Sequence, residues 1–325
     1  MDRFNPTRYL EDFERYYKKA KQLQEANLSG VKNPVGDLLM DQIPIYDTVN
    51  RCYAGFSNVP QQLWYGSKNP KKHQRREEFD RLANLWREQE WFYVLLVHRV
   101  TGSGASFSHD HGFRNVICPT IGAARLNTIQ EMVDFIKWHK QPIFTSIGNQ
   151  IPPFPRPTHL YEQGGKYYLC EMAPGLVYHI LTWLSKKEEP VGVKDCVDEI
   201  LRWQVSKGLK RYAFVLTAWA MDLGEYFPKY VNPQSHCYYG KNAQETLNLI
   251  FSDGKKNNFD QKVDWLCERL RATKPYDMED VLCDAIRYWE NYVPKGYNHI
   301  PNERLENNSL IKDHPKNLLK TRVVK

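Results

Sequence analysis

Residues Val193 to Ala243 read VKDCVDEILRWQVSKGLKRYAFVLTAWAMDLGEYFPKYVNPQSHCYYGKNA, and the punctuation of this stretch decides the kind of fold. Val197, Ile200, Leu201 and Trp203 recur at the i, i+3, i+4 spacing of a buried helix face, with Lys194, Asp198, Glu199 and Arg202 pointing outward. A short basic hairpin, Ser206 to Arg211, follows, in which Gly208 is free to take positive φ. A second, apolar helix runs from Tyr212 to about Leu223, and a polar loop from Asn232 to Lys241. Unpaired amides at a helix start, beside Lys207, Gly208, Lys210 and Arg211, form a seat for a phosphate. Asp222 sits at the far end of the second helix, where a carboxylate opposes the dipole and needs some compensating reason to be there. Spacing alone describes a basic turn between two core helices equally well.

The chain outside this unit narrows the classes of function. Its 325 residues, 42% of them hydrophobic, suffice for a sizeable core, and a net charge of +7 favours a polyanionic partner. Seven cysteines, odd in number and without a CxxC pair, argue against a zinc site and a disulfide framework. Instead they fit a reducing interior. MDRFNPTRYLEDFERYY is charged from its second residue, unlike a secretory signal, and no run of about 18 apolar residues predicts a membrane span.

Taken in order, the periodicity predicts helices over 6–26, 77–100, 129–139 and 174–186. Asn127-Thr128 caps the third of them. Asp41 to Asp47 reads as extended, and Tyr161 to Cys170 as a β-hairpin turning at Gly164-Gly165. Further helices are expected over 243–251, 260–271 and 278–292, before a polar basic tail. Lys71 to Arg76 is a basic run that a solvated helix end explains as well as a phosphate contact does.

Arg99 to Asn115, RVTGSGASFSHDHGFRN, is the most unusual stretch of the first half. Small residues expose amides near Arg99, His109, His111 and Arg114, a combination suited to a phosphate or pyrophosphate. It is not a P-loop, which needs GK[ST] after its second glycine. His-x-His on a loop is ordinarily polar surface, so no metal is assigned.

The pieces RVTGSGASFSHDHGFRN, KQPIFTSIGN, the helix-hairpin-helix ending AWAMDL, HCYYGKNA and EDVLCDAIRYWENY occur in one order. In that order they resemble the α-glutamyl/putrescinyl-thymine pyrophosphorylase superfamily, a helical, DNA glycosylase-like group associated with thymine hypermodification in bacteriophage DNA. The hairpin departs from the group's Leu-Pro-Gly-x-Gly, keeping only Gly208. The resemblance implies a mainly α, helix-hairpin-helix glycosylase-like fold, here with a small β-hairpin. The expected domains are an N-terminal helical segment over 1–98, a catalytic domain over 99–293 and a basic tail over 294–325.

The implied activity is transfer of an amine or amino acid to a pyrophosphorylated 5-hydroxymethyluracil base in DNA, with loss of pyrophosphate and without a cofactor. Asp222, His111 and Asp284 are the implied catalytic residues, and Arg99, Ser103, Gly104 and Arg114 the pyrophosphate ligands. Lys207, Gly208, Lys210 and Arg211 are the implied DNA contacts, with Phe107, Asn149, His236, Tyr239 and Asn242 around a flipped base. Cys283 admits addition to the pyrimidine ring, and Trp219 is a candidate for stacking or for the core. The expected partners are DNA and a small amine, with no membrane, in the cytoplasm of a bacterial host if the chain is phage-encoded. Base excision, non-enzymatic DNA binding and hydroxymethyluracil kinase activity are the alternatives, the last disfavoured by the missing P-loop.

Overall fold

The computed structural model describes residues 4–29, 33–43, 86–100, 124–138, 164–209, 214–252, 258–272 and 274–292, with single positions at 31, 46, 49, 50 and 121. The described residues are mainly helical, and their only β pairing consists of isolated bridges, Pro6 with Phe251 and Val191 with Val231. No helix among them is long and apolar enough to cross a membrane. The chain forms two compact units, one of Met1–Ala54 with Tyr239–Lys325 and one of Gly55–Tyr238.

The first unit contains α1 (Tyr9–Ser29), α2 (Leu38–Gln42), α9 (Lys241–Ile250), α10 (Phe259–Leu270) and α11 (Asp277–Trp289). Helix α11 packs on α9 and α1 and is buried on almost every side. Asp277, Glu279 and Asp280 in its first turn complement the helix dipole. Asp37 ties the N-terminal segment to this core. It caps α2 by accepting from the Met40 amide at 3.3 Å, pairs with Lys19 Nζ at 3.0 Å and accepts from the Tyr288 hydroxyl. Thr7 N–H to Ile250 O at 2.7 Å fastens the start of the chain to the end of α9. Asp41 and Gln42 close the short helix α2, so the extended reading of this stretch is corrected there. The Asp37 cap overrides the local preference.

The second unit contains α3 (Glu88–Val100), α4 (Ile129–Trp138), α5 (Gly164–Tyr167), α6 (Ala173–Leu184), α7 (Val193–Ser206) and α8 (Phe214–Tyr226). Helix α3 is its centre, buried from Glu90 through Val100 and packed against α8, α6 and α4. A helix apolar all round must be covered all round. It begins later than the periodicity suggests. Trp86 and Arg87 lie outside it, and the Glu90 carboxylate reaches back to the Arg87 amide at 3.1 Å. Thr128 caps α4 as expected, in a reciprocal box with Glu131: Glu131 N to Thr128 Oγ1 and Thr128 N to Glu131 Oε2, both 3.2 Å.

The β-hairpin is overturned at its described residues. Gly164–Tyr167 is α-helical and Tyr168–Met172 is a π-helical turn running directly into α6. Tyr168, Leu169, Ala173, Leu176, Val177 and Ile180 are all buried, so one helical face passes through the join. Pro174 explains the wide turn. Its ring crowds the carbonyl of residue 170 and supplies no N–H. The extra residue of a π turn relieves that crowding, and the Ala173 amide bonds Tyr168 O.

Glu88 opens α3, where Lys229 Nζ pairs with its carboxylate and the Tyr230 hydroxyl donates to it at 2.6 Å. Burial raises the Glu88 carboxyl, but the hydrogen bonds from Lys229 and Tyr230 outweigh it, leaving the group below its ordinary value of 4.5. A depressed carboxyl adds stability above its unfolded value and loses it as pH falls through the folded one. Glu88→Gln therefore removes part of the acid-side fall in stability below about pH 4.5. The side chain is 35% exposed, so screening limits the effect to a few tenths of a kcal/mol, roughly. Urea unfolding across that pH range reads it directly.

Candidate functional site

In the second unit α7 and α8 pack together, with the basic turn between them. Gly208 has φ +74°, and the turn closes α7 by donating inward. Gly208 N–H bonds Val205 O and Leu209 N–H bonds Gln204 O, both at 3.0 Å. This is a Schellman cap, with Leu209 buried beside it. The amides at 208 and 209 that were expected to face a phosphate are thus engaged by the helix they end, and the exposed Lys207 side chain is what the described turn presents to solvent. Lys210 and Arg211 lie outside the described residues. Gly208→Ala places a Cβ at positive φ, though in open space. It costs about 1 kcal/mol, with Gly208→Asn costing less, by chemical denaturation.

Asp222 lies inside α8 rather than at its far end, since that helix continues to Tyr226. It is buried, and Arg99 from the last turn of α3 grips it with two parallel bonds, Nε to Oδ2 and Nη2 to Oδ1, both 2.5 Å. The two side chains are each 4% exposed. A guanidinium fork matches a carboxylate in this bidentate way. Burial, not the helix end, is what makes a partner necessary for Asp222, and that partner is Arg99, 123 residues away along the chain. Of the implied pyrophosphate ligands, Ser103, Gly104 and Arg114 lie outside the described residues, as do His109, His111, Phe107 and Asn149. Trp219 belongs to the core: it is fully buried and donates from Nε1 to Phe92 O at 3.1 Å.

The first unit brings together other expected residues. Asn242, near the start of α9, places Nδ2 3.7 Å from Cys283 Sγ on α11. Asp284 follows, its side chain 3% exposed, accepting from Arg287 Nη1 at 2.8 Å. Burial pushes the Cys283 thiol well above its ordinary value, against the lowering pull of Arg287, which leaves it a poor nucleophile. Burial first, and Asp284 second, likewise raise the Tyr46 phenol. Tyr239 is buried, with its carbonyl accepting from Gln244 Nε2 at 2.7 Å, rather than exposed in a polar loop. His236 is half-buried and belongs to the second unit.

A further cluster was missed. Glu199, expected to point outward, is buried on α7, with His179 Nε2 2.7 Å from Oε1 and Arg202 donating to Oε2. Its position beside Ile200, with a cation at i+3, was the available signal. No family model, curated protein or solved structure matches the chain.

Proposed function

We propose that this chain modifies a pyrimidine base in DNA, transferring an amine or amino acid to a 5-hydroxymethyluracil base that carries pyrophosphate. The observation that carries the reading is the buried Arg99–Asp222 pair. It ties the end of the helix that leads into Thr101-Gly102-Ser103-Gly104-Ala105-Ser106 to the helix that follows the basic turn, two segments read independently as phosphate-directed. Here the amine nitrogen bonds the methylene carbon, the carbon–oxygen bond breaks, and pyrophosphate leaves with the electron pair. Cations and amides near the leaving oxygens lower that barrier.

Each Asp222 oxygen already receives an Arg99 donor, so Asp222 is better placed to hold Arg99 than to take a proton. His111 is then the group that accepts the amine's proton in this reading. Arg99, only 4% exposed and committed to Asp222, serves in this reading to hold α3 against α8 beside the site rather than to meet the leaving group itself.

The test is to incubate the protein with DNA bearing the pyrophosphorylated base and a panel of amines, then digest the DNA to nucleosides for mass spectrometry. A heavier nucleoside with stoichiometric pyrophosphate release is the expected result. Abasic sites instead establish base excision, and unchanged nucleosides with every amine overturn the proposal.

A further inference from the structure

Beside the basic turn, α6 and α7 carry a solvent-facing group of side chains that neither the ion pair nor the core uses. Trp203 lies against the bare backbone of Gly175, where a Cβ would stand 3.4 Å from its ring. The His179 ring sits 6.3 Å from Trp203 between centroids, and Lys207 Nζ lies 5.7 Å from the Trp203 centroid. Glu199, buried beneath, holds both His179 and Arg202, whose own side chain is 70% exposed. Tyr178, adjacent to His179 and one turn on from Gly175, is 72% exposed.

We propose that this α6–α7 face binds single-stranded DNA, stacking a base on Tyr178 and taking phosphates on Arg202 and Lys207. The inference rests on the DNA reading above and gives it a strand-contact surface made of side chains, since the Gly208 and Leu209 amides are engaged in the cap. A tyrosine ring has two soft torsions, so ordering it against a base costs little, and every base offers a π-face. Arg202 is held on one side by a buried carboxylate while its remaining donors face water, an orientation set before any ligand arrives. Arg202 and Lys207 are both exposed at the end of α7, and the Glu199 carboxylate is buried and already engaged by Arg202 and His179, which leaves two cations open to phosphates.

Fluorescence anisotropy of the full chain decides the matter, using a labelled oligothymidylate of about 16 nucleotides, a duplex of the same length and poly-glutamate. Tyr178→Ala is expected to weaken oligothymidylate binding roughly tenfold while Tyr178→Phe retains it. Joint substitution of Arg202→Gln and Lys207→Gln is expected to lower the salt slope by about 1 to 2. Circular dichroism confirms that the variants fold, and photo-crosslinking from 5-iodouracil should label the Tyr178 peptide. Oligothymidylate binding unchanged in Tyr178→Ala overturns this face and leaves the DNA reading standing. Failure of the wild-type chain to bind either DNA sinks both. Equal loss of poly-glutamate binding in Tyr178→Ala replaces stacking with a surface for acidic peptides.

Discussion

Replacing Asp222 by alanine lowers the stability of the protein by about 3 to 5 kcal/mol, the loss expected when one partner of a buried ion pair is removed. The carboxylate is held at 2.5 Å on both oxygens, and its removal leaves the Arg99 charge buried without the group that faces it. Asp222→Asn is also costly, since an amide offers one acceptor where the guanidinium needs two. The joint replacement of Arg99→Met and Asp222→Leu is expected to recover most of the loss, because two apolar side chains remove both desolvation penalties together. Urea unfolding of Arg99→Met, Asp222→Leu and the paired variant forms a double-mutant cycle. A cost of Asp222→Ala below about 1 kcal/mol would place the pair among those that contribute little, and the anchoring role would fall with it. The cycle also protects the activity test: a folded paired variant without transfer activity separates the pair's role in chemistry from its role in folding.

Trp219→Ala costs about 3 to 5 kcal/mol, the range for truncating a large buried aromatic. The indole is fully buried on α8, its ring 6.5 Å from that of Phe92 and at right angles to it, and its N–H reaches the Phe92 carbonyl on the central helix α3. Truncation opens a cavity between the two helices that the Arg99–Asp222 pair also joins. Trp219→Phe is expected to cost less, because the contact with α3 is retained while the hydrogen bond is lost. Thermal unfolding distinguishes these outcomes. A Trp219→Ala variant as stable as the parent would mean that the ring serves something other than the core.

The helices were legible because their signals are local. The buried stripe on α7, the Thr128 cap of α4 and the all-apolar run of α3 each follow from neighbours within a few residues. The Schellman cap at Gly208 is equally local, and Gly followed by a buried Leu was enough to predict that its amides turn inward. Reading them as a ligand seat weighed the cations above the backbone. The Tyr161–Cys170 hairpin failed for a different reason. Tyr-Tyr-Leu favours strand in isolation, but the face containing Tyr168, Leu169 and Ala173 had a core to meet. Of the stretch Arg99 to Asn115, read as suited to a phosphate, all but Arg99 and Val100 lies outside the described residues, which is why His111 and Arg114 enter the proposal on chemistry alone.

By itself the amino-acid sequence determined the helical class and most helix positions, consequences of periodicity and capping, and it marked Asp222 as a carboxylate in need of a reason to sit in an apolar helix. Only the tertiary structure decided that the partner is Arg99, that Glu199 is buried beneath Arg202 and His179, and that a π turn carries the chain past Pro174. The physical reason is the range of the forces. Backbone preferences act over one or two turns, whereas the desolvation that makes a buried charge find its partner depends on which distant surfaces the packed helices bring together.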